Sequence, residues 1–154
     1  MTVEDDIDFF ERVPTFALLG RQALRILAIG AQTQYVHPGE VLFDAGAPAE
    51  GAYIVQEGRF ELSAPDINDR PPVVGPYTLL GEASLFTDTT RPVTATALEP
   101  ATVLHVPRAL FLKMLNSFPS SARKLREIFA TRLDESTREF ASVRAVLQEY
   151  DSER

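Results

Sequence analysis

From residue 32 onward the chain leaves helical periodicity and becomes a succession of short apolar runs cut by turn residues. Extended runs are predicted at 33–36, 41–43, 52–55, 59–62, 93–97 and 102–106, where β-branched, aromatic and small residues cluster. Between them lie His37-Pro38-Gly39-Glu40, Asp44-Ala45-Gly46-Ala47-Pro48 and Glu57-Gly58, the last read as a hairpin turn, and a polar, proline-rich loop at 64–72. Strands this short cannot each bury a core alone, so the spacing predicts a β-sandwich or barrel.

Helical signals flank this region. Leu18, Leu19, Ala23, Ile26, Leu27 and Ile29 recur at helical spacing, with Thr15 as the expected cap, giving a predicted N-terminal helix over 15–31. After residue 107, a helix is predicted over 109–116. Ser117-Phe118-Pro119 breaks it, and a longer helix free of proline and glycine runs to about residue 149. In that last helix Leu133, Phe140 and Leu147 repeat every seven residues, with Phe129, Ser136, Val143 and Tyr150 as a second series. Such a seam either pairs with a second copy of the chain or lies on the β-core.

Residues 80–97 carry the most chemistry. Gly81 precedes Glu82, Ala83, Ser84, Leu85 and Phe86, a run suited to one or two helical turns opening from a tight turn. The first amides of such a turn lack intrahelical acceptors and favour an anion, and glycine lets the ligand approach the backbone. Glu82 is a poor phosphate ligand but a good acceptor for a hydroxyl beside one. Arg91, opening the small and β-branched run Val93 to Ala97, can reach back to the same phosphate oxygens. The set describes a phosphate beside a ribose; the alternative on spacing alone is a surface ion pair next to an ordinary turn.

Composition closes off several other functions. At 154 residues, 45% apolar, the chain is sized for one domain with a core. A net charge of −7 without a basic block disfavours direct nucleic-acid or membrane-surface binding. No cysteine is present, so disulfides and thiolate chemistry are excluded. The two histidines, His37 in a turn and His105 on a strand, cannot build a three-histidine metal site in one protomer; neither a metal nor a catalytic role is expected. The acidic N-terminus lacks secretory character, and the expected location is cytoplasmic.

The order of helix, short strands, glycine-marked loop, two strands and closing helices resembles the cyclic nucleotide-binding domain. The matching residues are Pro38-Gly39-Glu40, Gly46, Tyr53-Ile54-Val55, Gly58, Gly81-Glu82 with Ser84-Leu85, and Arg91. The resemblance implies a mainly β (α+β) fold with flanking helices: an eight-stranded jelly-roll β-barrel over 32–107, followed by C-terminal helices over 108–150, in a single domain of residues 1–154. It makes residues 80–97 a phosphate-binding cassette. Gly81 would donate a backbone amide, with Ala83 beside it; Glu82 would accept from the ribose 2′-hydroxyl, and Arg91 would pair with the cyclic phosphate.

Similarity to catabolite-activator-type regulators implies a homodimer through the last helix, with Ser136 and Thr137 near the purine. With the chain ending at Arg154, no helix-turn-helix module is expected, so any transcriptional output would run through an unidentified downstream protein. Family members commonly place an amide donor after the arginine, whereas Pro92 has no N–H; Thr94, Thr89 or Thr90 could compensate. The expectation is a stand-alone cyclic-nucleotide sensor for cAMP, with cGMP the other candidate ligand. The competing reading is a degenerate domain that binds no nucleotide and serves protein interaction or dimerisation.

Overall fold

The computed structural model describes residues 2–65 and 70–131, the last four of them as backbone only. In chain order the elements are α1 (Val3–Glu11), α2 (Arg21–Gly30), β1 (Gln32–Val36), β2 (Val41–Phe43), β3 (Pro48–Ala49), β4 (Gly51–Glu57), β5 (Phe60–Ser63), β6 (Val73–Val74) and β7 (Leu79–Leu80). A 3₁₀ turn (Glu82–Leu85), β8 (Thr89–Thr90), β9 (Thr94–Ala97), β10 (Ala101–Pro107), α3 (Arg108–Ser117) and α4 (Pro119–Thr131) complete the described part.

The strands form two antiparallel four-stranded sheets, ordered β1-β10-β4-β7 and β2-β9-β5-β6, and a two-stranded ribbon of β3 and β8. Period-2 alternation along β4 and β10 explains their double role. Ile54, Leu104 and Val106 face the helices and pack in a core with Phe10, Phe16, Leu24 and Phe111. Val55 and Val103 face the second sheet and pack with Val36, Phe60, Leu80, Ala95 and Ala97. Burying each of the valine, leucine, isoleucine and phenylalanine side chains among these contributes about 1.5 to 3 kcal/mol.

Three expectations are corrected. The sheets do not close into a barrel, and ten short strands stand among the described residues where eight were expected. The ladder stops at β1, whose Gln32, Thr33, Gln34 and Tyr35 are exposed, and glycine and proline turns cut the remaining strands into pieces as short as two residues. Glu57-Gly58 is not a hairpin turn: β4 pairs with β10 and β7, and β5 with β9 and β6, so Gly58 at φ +89° carries the chain from one sheet to the other. Only glycine fits there, since a Cβ would meet Pro100 O at 2.7 Å.

The N-terminal helix starts later than predicted. Gly20, at φ +89°, is the residue before α2, and Thr15 lies in the preceding run of turns. Helix α1 was missed, although Thr2 and Asp5 form a capping box, with the Asp5 N–H donating to Thr2 Oγ1 at 3.2 Å and the Thr2 N–H donating to Asp5 Oδ2 at 3.0 Å. Arg21 bridges Glu4, Asp8 and Glu11 across the exposed side of the α1–α2 pair. At the other end, Ser121 of α4 donates to Leu19 O at 2.8 Å, tying α4 to the N-terminal turns. The heptad seam beyond residue 131 lies outside the described residues, as do the side chains from residue 128 onward.

Candidate functional site

A cavity of about 290 Å³, near the lower end of the size usual for small-molecule sites, opens between the sheets. Gly81, Glu82, Ala83, Arg91 and Pro92, all singled out from the sequence, line it together with the apolar side chain of Phe43. Strand pairing brings them together. Leu80 of β7 pairs with Tyr53 of β4, which sets the start of the 3₁₀ turn, while Arg91 is positioned by its backbone. The Arg91 N–H donates to Ala47 O at 2.8 Å, and the Gly46 N–H donates to Arg91 O at 2.7 Å.

Gly81 adopts φ +85°, ψ +39°, the left-handed region that favours glycine. Its conformation is only half of the requirement: a Cβ at this position would stand 2.2 Å from Arg91 Nη1. In the 3₁₀ turn, the Ser84 N–H donates to Gly81 O at 3.0 Å, so the amides of Glu82 and Ala83 precede the first intrahelical bond, at the cavity wall. Ser84 Oγ is turned inward, donating to Gly51 O at 2.6 Å and approaching Gly81 O.

Arg91 is 5% exposed, and its Nη1 is buried without a hydrogen-bond partner. Its guanidinium lies 4.5 Å from the ring centroid of Phe43 and 5.4 Å from that of Tyr53. Tyr53 in turn stacks on His105 at 4.7 Å. Burial lowers the Arg91 pKa from its ordinary value, partly opposed by Tyr53; the group stays cationic at neutral pH. Two cation–π contacts return on the order of 1 to 2 kcal/mol each, against several for desolvating a cation. An anion against Nη1 would offset the remainder, and the absence of a side chain at position 81 is what lets Nη1 lie this close to the backbone.

Glu82 borders the same cavity, and its Oε2 accepts a hydrogen bond from the hydroxyl of Thr15, a residue 4% exposed. Thr94 was expected as a ligand contact but is not in the cavity wall; its Oγ1 accepts from the Ala45 N–H at 2.8 Å and supports the loop that holds Arg91. Thr89 and Thr90 form β8 and pair with β3. Pro92 is exposed at the cavity's edge, so no amide is offered there. Ser136 and Thr137 lie outside the described residues.

Four participants escaped the sequence reading. Phe43 and Tyr53 form the aromatic shelf under Arg91, which becomes visible only once the register of both sheets is known. Thr15 reaches Glu82 across 67 positions. Arg108, at the start of α3, donates through Nη1 to Thr87 O at 2.9 Å and to Ala49 O at 3.2 Å, clamping the chain just after the 3₁₀ turn. The dipeptide Pro107-Arg108 marks a helix start but carries no signal of that contact. Among the described residues, no group of three or more histidine, aspartate or glutamate side chains could hold a metal, and no helix is long and apolar enough to cross a membrane.

Comparison with known proteins converges on one family. The cyclic nucleotide-binding domain model matches residues 33–118. A cyclic nucleotide-binding-like protein from Brucella abortus is 33% identical, with a TM-score of 0.64 over 73% of this chain and 98% of that one. The N-terminal domain of a transcriptional regulator from Streptomyces coelicolor is also 33% identical, with a TM-score of 0.73 over 83% of this chain and 92% of that one. Lysophospholipase NTE1 of Phaeosphaeria nodorum is 28% identical over 101 residues, which are 64% of this chain but 7% of that protein. The chain therefore spans a small part of the curated relatives it matches, and their enzymatic activity does not transfer through that part.

Proposed function

The chain belongs to the cyclic nucleotide-binding domain family, and on that premise we propose that it is a regulatory sensor whose cavity takes a cyclic nucleotide, cAMP in preference to cGMP. The carrying observation is Arg91 Nη1, a buried cationic donor with no partner, next to a backbone that only glycine permits. A cyclic phosphate supplies the missing acceptor and neutralises the charge. The Gly81 and Ala83 amides add donors to the same phosphate, and Glu82 accepts from the ribose 2′-hydroxyl. The family is typically non-enzymatic, and the site has the composition of a binding cradle.

Output runs through the helices. Phe86, directly after the 3₁₀ turn, meets Phe111 of α3 edge-on at 5.2 Å, and Phe111 stacks on Phe16 at 6.1 Å. Movement of the cassette on ligand capture is thereby felt by the helical core, a population shift that a downstream protein reads. A homodimer through the C-terminal seam, with Ser136 and Thr137 approaching the purine, and a cytoplasmic setting complete this reading. Light scattering that finds a monomer at tens of micromolar would count against the dimer.

Pro92 favours a second reading, a degenerate domain used for protein contact alone, because it withholds one donor from the phosphate. Calorimetric titration with cAMP and cGMP separates the two. Saturable binding supports the sensor; no heat and no thermal shift at millimolar nucleotide leaves the interaction module.

A further inference from the structure

Thr15 belongs to the N-terminal turns, yet its hydroxyl donates to the cassette residue assigned to the ribose. The turns deliver it from a fixed base. The Val13 N–H donates to Phe10 O at 3.0 Å and the Phe16 N–H donates to Val13 O at 2.9 Å, while Phe16 is fully buried between Phe10, 5.6 Å away, and Phe111. The last torsion of a glutamate is broad, so an unrestrained carboxylate samples many planes. A buried hydroxyl on Oε2 narrows that range and biases the direction in which the carboxylate accepts a ligand hydroxyl.

We propose that Thr15 is a positioning residue for ligand recognition, holding the Glu82 carboxylate in the plane that accepts the ribose 2′-hydroxyl. The inference rests on the reading of the cavity as a cyclic-nucleotide site. It predicts that Thr15 acts on one ligand group and leaves phosphate recognition by Arg91 unchanged.

The test is calorimetric titration of the wild-type chain, Thr15→Val and Thr15→Ser with both cAMP and 2′-deoxy-cAMP. Thr15→Val should weaken cAMP about fivefold to tenfold, the cost of one lost hydrogen bond, and change 2′-deoxy-cAMP by less than about twofold. Thr15→Ser, which keeps the hydroxyl, should restore the wild-type ratio. If Thr15→Val does not fold, Thr15→Ala replaces it with the same expectation. Equal weakening of both nucleotides, or of neither, overturns the positioning role while leaving the cavity reading intact. A wild-type chain that binds neither overturns the cavity reading and the role of Thr15 with it.

Discussion

Gly81 and Arg91 fit together as backbone against guanidinium: a Cβ on residue 81 would lie 2.2 Å from Arg91 Nη1, and the residue sits at φ +85°. Gly81→Ala therefore meets two penalties. Left-handed backbone costs an L-residue about 1 to 2 kcal/mol, and the methyl displaces the buried cation. Urea denaturation should show at least that loss, and nucleotide affinity should fall at least about tenfold alongside it.

Arg108 ties the segment after the 3₁₀ turn to α3. It offers Nη1 to Thr87 O and Ala49 O, whereas its contact to Asp88 reaches a side chain 96% exposed and adds little. Arg108→Ala should lower stability by about 1 to 3 kcal/mol, by freeing carbonyls that a charged donor now satisfies. Hydrogen exchange should accelerate at residues 84–88 before the sheets are affected, as local opening of that segment requires.

His105 links stability to pH. Burial, and next the nearby Arg91 charge, lower its pKa from the ordinary 6.5, with Glu50 pulling the other way; the ring stacks on Tyr53, and Nδ1 lies 3.5 Å from Gln32 Oε1. A depressed folded-state pKa means the unfolded chain takes the proton first. The contribution is complete above about pH 6.5 and is lost as pH falls from there toward the folded-state value. Denaturation midpoints measured from pH 7.5 down to 5 should decline less in His105→Gln than in the wild type.

Pro92 stands exposed at the cavity edge and without an N–H. Pro92→Ala restores a donor and should tighten cAMP binding about tenfold in a titration. Unchanged affinity would mean that the phosphate is clasped entirely from the Gly81 side and by Arg91.

The strand positions were legible because turn residues and period-2 runs are local signals; β2, β4, β5 and β10 fall within two residues of their expected bounds. Gly81, Glu82 and Arg91, singled out by residue type, do come together at one cavity. Which sheet each strand joins was not legible, so Glu57-Gly58 read as a hairpin and the shelf of Phe43 and Tyr53 under Arg91 went unseen. Thr15 shows the limit most clearly. A threonine before a helical pattern is a cap by every local rule, yet Gly20 takes the position before α2 and the hydroxyl serves Glu82 instead.

The role of Arg91 is tested most directly by titrating the wild-type chain and Arg91→Met with cAMP, and comparing their stability without ligand. A buried, unpartnered cation kept for an anion requires saturable binding in the wild type and loss of about 2 to 5 kcal/mol of it in Arg91→Met. The same substitution should make the ligand-free protein roughly 1 kcal/mol more stable, since an apolar side chain relieves the buried charge. A wild-type chain that shows no binding, or an Arg91→Met variant that binds as tightly as the wild type, would contradict it.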